Sequence, residues 1–167
     1  MDISMFTGFA GRINRQKWWL GTIALLVVIL ILYFILSSLL IGGFDPMAPD
    51  AMSSMMRNMA IMQIIVLAII CYPVTALMKK RLNDRDRPDW MVYLFWAPTI
   101  VGILINLLGL GYTTADVGGI MMPQASWLSM LVGLISLAVG IWALVELGFL
   151  KGTDGPNQHG PDPLAGA

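Results

Sequence analysis

The chain has 167 residues, of which 57% are apolar and 12% charged, and its formal net charge is zero. Soluble domains carry about a quarter charged residues, so this composition disfavours a soluble fold and favours one surrounded by lipid. A single Cys and a single His exclude a disulfide framework and a Cys/His zinc site within one chain. We therefore expect an integral membrane protein, with no cofactor and no metal site.

Four apolar segments follow one another, and each is long enough to cross a hydrocarbon core, which takes roughly 20 helical residues. They are predicted at residues 18–41, 59–78, 90–111 and 127–150. Because backbone exposed to lipid has to satisfy its own hydrogen bonds, each segment is predicted to be a helix. The expected fold is an all-α integral membrane protein forming one domain. It is a four-transmembrane-helix bundle with an interfacial N-terminal segment and a cytoplasmic Gly/Pro-rich tail over residues 151–167.

The basic residues predict how these segments are oriented. Nine of the ten Lys and Arg residues precede the first segment, lie between the second and third, or follow the fourth. The tenth, Arg57, lies in one of the two other loops. By the positive-inside rule, the Lys/Arg-rich side is cytoplasmic, and both termini lie on it.

The fourth segment carries a stripe of small residues at spacings of four and three. Its members are Ser129, Gly133, Ser136, Gly140 and Ala143. Small residues on one helix face allow a second backbone to approach closely. Packing inside the bundle is favoured over a homodimer contact, and both stay open.

Glu146 is the one ionisable residue within a predicted segment and is therefore an intramembrane candidate site. It lies about one turn from the cytoplasmic end, five residues before Lys151. An interfacial acid paired with a Lys or Arg is favoured over a proton or substrate site.

Methionines are concentrated on the predicted outer side. They are Met47, Met52, Met55, Met56, Met59 and Met62 around the start of the second segment, and Met121 and Met122 in the other outer loop. Thioethers bind Cu(I), so a copper site is one interpretation. Methionine is also an adaptable packing residue, and no His or Cys joins the cluster, so packing is favoured.

Three polar blocks occupy the predicted cytoplasmic side, at residues 6–19, 80–90 and 152–163. Together they resemble the bacterial inner-membrane family catalogued as domain of unknown function 805. That family shows a Gly-Arg-x-x-Arg-x-x-aromatic motif, an Arg-Leu-His-Asp segment ending in Ser-Gly-Trp, and a Gly-x-x-Gly-x-Asn-x-x-Gly-x-Asp-Pro tail. The matching residues are Arg12, Arg15, Trp18, Arg81, Leu82, Asp84, Trp90, Gly152, Gly155, Asn157, Gly160, Asp162 and Pro163.

The sequence departs from the family pattern at two places. Asn83 stands where the family often has His, and Pro88-Asp89 stand where it often has Ser-Gly. Asn can replace His as a hydrogen-bond donor but not as a titrating group. The resemblance implies a bacterial inner-membrane location and this topology, and it supplies no mechanism.

Because the three blocks lie at one membrane face, we expect their polar side chains to meet. The predicted cytoplasmic network consists of Arg12, Arg15, Arg81, Asn83, Asp84, Trp90, Asn157 and Asp162. Its arginines and aspartates would form hydrogen-bonded ion pairs. Alternatively, the basic residues would hold anionic lipid head groups. The aspartates interleaved among the arginines favour the internal network.

These features favour a non-enzymatic scaffold, assembly or regulatory component that acts through its cytoplasmic face. No nucleophile, phosphate-binding or dinucleotide-binding motif indicates an enzyme. The expected partners are membrane lipids and either a second copy or another membrane protein, and nucleic acid is not expected. The alternative is a small oligomeric transporter or channel, for which Gln63, Asn106 and Glu146 are among the few polar residues within the apolar segments.

Overall fold

A computed structural model describes residues 3–43, 45, 51–118 and 120–165. A short 3-10 turn, Ile3–Phe6, precedes the first helix. The helices are α1 (Arg15–Leu40), α2 (Ala51–Asp84), α3 (Trp90–Leu107) and α4 (Trp127–Leu144). Strands β1 (Tyr112–Val117) and β2 (Ile120–Ala125) lie between α3 and α4. A π-helical segment, Val145–Phe149, continues α4.

The four predicted helices are present, and each is long and apolar enough to cross a membrane. Their most apolar windows have mean hydropathies of 3.0, 2.3, 1.7 and 2.4 in chain order. α1 packs on α2, α3 packs on α4, and α2 also contacts α3. Large apolar side chains remain exposed on the outside, such as Phe34 at 76% and Leu134 at 66%. An apolar belt of this kind needs lipid or another protein to cover it.

α2 extends beyond the apolar segment predicted at 59–78, at both ends. On the polar side, residues 79–84 continue the helix instead of forming a link. Lys, Arg and Leu are good helix formers, and Arg81 pairs with Asp84 one turn later. The change from apolar to polar residues therefore marks the end of the hydrophobic stretch but not the end of the helix. As a result, Arg81 and Asp84 are carried on a rigid helical turn.

The segment predicted as the second outer loop, residues 112–126, contains an antiparallel hairpin. β1 and β2 pair from Tyr112 with Ala125 to Val117 with Ile120. Gly118 has a φ of +67°, which glycine adopts without strain. The sequence carries the signal for this hairpin, because a Gly-Gly pair separates two six-residue runs that contain Tyr, Thr, Val and Ile.

The buried apolar core lies at the end of the helices that carries the three polar blocks. Its residues are Met5, Ile13, Trp18, Leu77, Leu82, Met91, Val92 and Leu147. They come from the N-terminal segment, α1, α2, α3 and the π-helical segment. We call the segments that meet here the cap: residues 3–19, 79–90 and 145–165. The cap is thus built on an apolar core.

The small-residue stripe of α4 is only partly packed within the chain. The Ser136 hydroxyl donates to the Val132 carbonyl of its own helix, and that of Ser129 donates to Gly111. An ideal Cβ built at Gly133 or Gly140 would meet no heavy atom of the described residues within 4 Å. The two glycines therefore face open space, and packing inside the bundle does not account for them.

The methionine cluster is described only in part. Met47 and the side chains of Met52 and Met121 lie outside the described residues. Of the other methionines in the cluster, Met122 is 48% exposed, and Met55, Met56, Met59 and Met62 are half-buried. Within the described chain, no group of three or more His, Cys, Asp or Glu side chains is placed to hold a metal ion.

Candidate functional site

Asp84, at the C-terminal end of α2, is the centre of the candidate site. Its Oδ1 accepts from Nε of Arg12 at 3.1 Å and lies 3.1 Å from Nη2 of the same guanidinium. Its Oδ2 accepts from Nη1 of Arg81. The side chains of Arg12, Arg81 and Asp84 are 1%, 0% and 5% exposed. Because they are buried and engaged with Asp84, these two guanidiniums are not available to lipid head groups.

The end of α4, by which we mean the π-helical segment Val145–Phe149 and Leu150, accepts hydrogen bonds from other parts of the cap. A helix leaves its last carbonyls without partners, and these carry the negative end of the helix dipole. Here five consecutive carbonyls accept from side chains. Arg85 donates to Glu146 (2.7 Å), Arg81 to Leu147 (2.7 Å), Trp19 to Gly148 (3.1 Å), Arg15 to Phe149 (3.1 Å), and Arg81 again to Leu150.

Arg81 therefore has a double role in the cap. Its guanidinium joins the carboxylate of Asp84 on α2 to two carbonyls at the end of α4, those of Leu147 and Leu150. The planar fork of arginine can make such divergent hydrogen bonds, whereas the single ammonium of lysine cannot reproduce them. This one side chain links the second and fourth helices.

Glu146 lies in the π-helical segment and is buried, at 4% exposure. Its Oε1 accepts from Nε of Arg87 at 2.7 Å and lies 3.0 Å from Nη1 of Arg85. Burial lowers the pKa of Arg85, and the neighbouring Glu146 carboxylate partly opposes this shift. Lys151 pairs instead with Asp154, at 2.6 Å. The partners of Glu146 thus come from the α2–α3 link and not from its own helix.

Arg12 also fastens the C-terminal tail. Its Nη1 donates to the carbonyl of Gly155 at 2.7 Å, and its Nη2 donates to that of Thr153 at 2.8 Å. The backbone N–H of Thr153 in turn donates to the carbonyl of Asp84 at 2.8 Å. The tail, which has few apolar residues, is therefore held by polar contacts to both the N-terminal segment and α2.

Asn83 joins the N-terminal segment to the tail. Its side-chain Nδ2 donates to the backbone carbonyls of Phe9 (3.1 Å) and Gly11 (3.0 Å). Its backbone carbonyl accepts from Nδ2 of Asn157 at 2.9 Å. The residue is 1% exposed, and its Oδ1 has no hydrogen-bond partner among the described residues. Asn83 thus uses both amide hydrogens structurally, at the position where the family often has His.

Asp162 orders the tail itself. Its carboxylate accepts from the backbone N–H groups of Leu164 (2.9 Å) and Gly155 (3.1 Å). These two hydrogen bonds, that of Leu164 first, hold the pKa of the Asp162 carboxyl below its ordinary value. Gly155 has a φ of +73°, a conformation that favours glycine. Asp162 therefore closes the tail turn instead of forming the predicted ion pair with an arginine.

The structure joins five of the eight predicted residues in two hydrogen-bonded groups and leaves three outside them. Arg12, Asp84 and Arg81 form one group, and Asn83 and Asn157 form the other. Arg15 bonds to the Phe149 carbonyl, and Asp162 bonds to backbone N–H groups of the tail. Trp90 begins α3 and is 56% exposed. In the described part of the chain, it has no hydrogen bond to the network.

Sequence reasoning missed several residues of the site. Lys80 holds the N-terminal segment by donating from Nζ to the carbonyls of Ser4 and Thr7. Arg85 and Arg87 enter the sequence-based prediction only among the basic residues that set the orientation, and Trp19 only as the last residue of the first polar block. The end of the fourth helix was the available signal for these donors. The last carbonyls of a helix have no partners within it, so a buried helix end requires hydrogen-bond donors from elsewhere in the chain.

Gly152 offers a test of how closely the tail lies against Asp84. A Cβ added at Gly152 would lie 2.7 Å from Cγ and 3.0 Å from the carbonyl oxygen of Asp84. We expect Gly152→Ala to lower the free energy of unfolding by about 1–3 kcal/mol, measured by detergent titration. Gly140→Ala is the matched control, since its Cβ meets nothing within 4 Å among the described residues. An equal effect of both substitutions would contradict the tail placement.

The fold and the site define a class: a small helical protein with four membrane-compatible helices, fastened at one end by a buried ionic cap. The sequence model of a family described as "Protein of unknown function (DUF805)" matches residues 6–161, which is nearly the whole chain. The chain belongs to this family. Comparisons with curated proteins and with solved structures gave no match.

Proposed function

We propose that this protein spans the bacterial inner membrane four times, with the cap and both termini in the cytoplasm. The exposed apolar belt and the four apolar helices support a multi-pass membrane protein. Nine of the ten basic residues belong to the links and ends on the cap side, which supports the cytoplasmic orientation. In this arrangement the hairpin of β1 and β2 faces the periplasm.

We further propose that the protein is a non-enzymatic scaffold, assembly or regulatory component that works through the cap. The observation that carries this proposal is that the buried charged residues of the cap, Lys80, Arg81, Asp84 and Glu146, all bond to groups of the protein itself. Asp84 and Glu146 each lie against two arginines. Carboxylates held between arginines act as cross-links within the cap, which suits a rigid platform.

The outer rim of the cap supplies the contact surface. It is exposed and of mixed sign, with Asp89 and Lys151 each 66% exposed and Asp154 at 81%. Trp90 and Tyr93 lie beside it, at 56% and 76% exposure. Aromatic residues next to a polar rim suit both the membrane interface and a protein partner. The proposed partners are membrane lipids together with a second copy of this chain or another membrane protein.

The alternative, a small oligomeric transporter or channel, draws on a different observation. Gln63 and Asn106 line a cavity at the end of the helices opposite the cap. The apolar core beneath the cap, which includes Leu77, Leu82 and Leu147, fills the space between the helices there. A transport path would therefore need several copies around a shared axis, and the cap-centred proposal is preferred.

A pair of cysteine variants tests both the orientation and the working surface. In a Cys71→Ser background, Lys151→Cys places a thiol on the cap, and Gln124→Cys places one on the exposed hairpin. In cells with a permeabilised outer membrane, an impermeant maleimide is expected to label Gln124→Cys. Lys151→Cys should be labelled only after the inner membrane is opened. The reverse pattern would contradict the orientation.

The same two variants identify where a partner binds. After loading with a benzophenone maleimide and irradiation of native membranes, Lys151→Cys is expected to give a reproducible cross-linked protein, either a dimer or a complex. Gln124→Cys, as the matched control, is expected not to give it. Absence of an adduct from the cap, or the same adduct from both ends, would count against the scaffold proposal.

A further inference from the structure

A cavity of about 520 Å³ lies between the two helical pairs, towards the end opposite the cap. All four helices line it, with Tyr33 from α1, Gln63 from α2, Asn106 from α3 and Gly133 from α4. Its volume falls within the range of roughly 300–1,000 Å³ that is common for small-molecule sites. It takes no part in the cap contacts.

The cavity combines uncharged polar groups with apolar walls. Among the described residues that line it, none is Asp, Glu, Lys or Arg. Two carboxamides, those of Gln63 and Asn106, line the cavity and are half-buried. In the proposed membrane position these carboxamides lie away from bulk water, so a ligand that hydrogen-bonds to them would be favoured.

Aromatic side chains supply much of the wall. Tyr33, Trp96 and Tyr112 all line the cavity. The indole Nε1 of Trp96 already donates to the Thr75 hydroxyl at 2.9 Å. Trp96 therefore has its ring, and not its N–H, available to a bound molecule. Rings of this kind pack well against a flat, uncharged head group.

We propose that this cavity binds the head group of an uncharged, lipid-soluble ring compound of the quinone or quinol class. The amides of Gln63 and Asn106 would donate to ring carbonyls and accept from ring hydroxyls. A phospholipid head does not fit this chemistry, because a charged group would be buried without a counter-charge. Diacylglycerol shares the uncharged, hydrogen-bonding character but lacks the ring, so the test separates the two. The proposal goes beyond the cap function and does not depend on it.

Two glycines of α4 provide a matched pair for the test. Gly133 lines the cavity, whereas Gly140 lies two turns further along and outside the lining. A Cβ at either position meets no described heavy atom within 4 Å. Gly133→Leu therefore places a side chain in the cavity and reduces its volume, and Gly140→Leu makes the same change on the same helix outside the cavity. Both variants should keep the elution profile of the unaltered protein.

Binding is measured in lipid nanodiscs by titration with decylubiquinone, with saturable quenching of tryptophan fluorescence as the readout. We expect saturable binding that is weakened at least about tenfold by Gly133→Leu and unchanged by Gly140→Leu. Replacing Gln63 and Asn106 together by Leu keeps the volume and removes two hydrogen bonds, so affinity should also fall about tenfold. Dioctanoylglycerol should compete only weakly.

Three outcomes would overturn the proposal. One is quenching with no saturable component, which would mean that the quinone only partitions into lipid. Another is equal affinity in Gly133→Leu and Gly140→Leu, which would place the binding elsewhere. The third is competition by dioctanoylglycerol as strong as that by the quinone itself, which would remove the requirement for a ring.

Discussion

Arg81→Ala is expected to lower the free energy of unfolding by about 3–5 kcal/mol, the typical effect of breaking a buried ion pair. Arg81 is fully buried and holds Asp84 together with the carbonyls of Leu147 and Leu150. Alanine would leave the carboxylate with one arginine and both carbonyls without that donor. The measurement is an unfolding titration with sodium dodecyl sulfate in mixed micelles, followed by tryptophan fluorescence.

Two further variants define what this result means. Arg57→Ala makes the same change in the same helix at an exposed position, and it is expected to alter stability by less than about 0.5 kcal/mol. Arg81→Lys keeps the charge but loses the fork, so it should fall between Arg81→Ala and the unaltered protein. If Arg81→Lys matched the unaltered protein, charge alone would suffice, and the divergent hydrogen bonds would not matter.

This expectation also decides which residues can test the function of the cap. Substitutions at buried positions such as Arg81 or Asp84 would disturb folding and partner binding together. Exposed rim positions such as Asp89 and Lys151 separate the two, because their side chains are two-thirds exposed. The rim is therefore the place for functional variants, and the buried network is the place for stability variants.

The four apolar helices and the meeting of the polar blocks were predictable from the sequence for physical reasons. Hydrocarbon thickness determines the length of an apolar helix, so its existence is visible in composition. Charge asymmetry between the links places the polar blocks at one end, so residues as far apart in the chain as Arg12 and Asp84, separated by 72 positions, are brought to the same face. Neither inference requires knowledge of side-chain geometry.

The individual partners were not predictable in the same way. Asp162 pairs with backbone N–H groups because the tail turns tightly on itself, and that turn depends on Gly155. Glu146 faces Arg85 and Arg87 because α2 continues past its apolar stretch and brings the following link against α4. These contacts depend on where helices end and on the path of loops, which hydropathy does not report.

Asp84→Asn is the second substitution with a large expected effect, about 3 kcal/mol of lost stability. The amide has nearly the same shape as the carboxylate, so the change removes charge while leaving the volume in place. Arg12 and Arg81 would then face each other, buried at 1% and 0% side-chain exposure, without the counter-charge between them. The same dodecyl sulfate titration measures the loss, with Asp154→Asn, 81% exposed, as the control.

A local readout distinguishes this mechanism from general destabilisation. Arg12 links Asp84 to the tail through the carbonyls of Thr153 and Gly155, so weakening the ion pair should release the tail before the helices unfold. In Asp84→Asn, amide hydrogen exchange over residues 152–163 is expected to accelerate under native conditions, while exchange within α4 stays slow. Asp154→Asn should leave the tail protected. Equal acceleration in the tail and α4 would instead indicate that Asp84 supports the whole fold, with no separate hold on the tail.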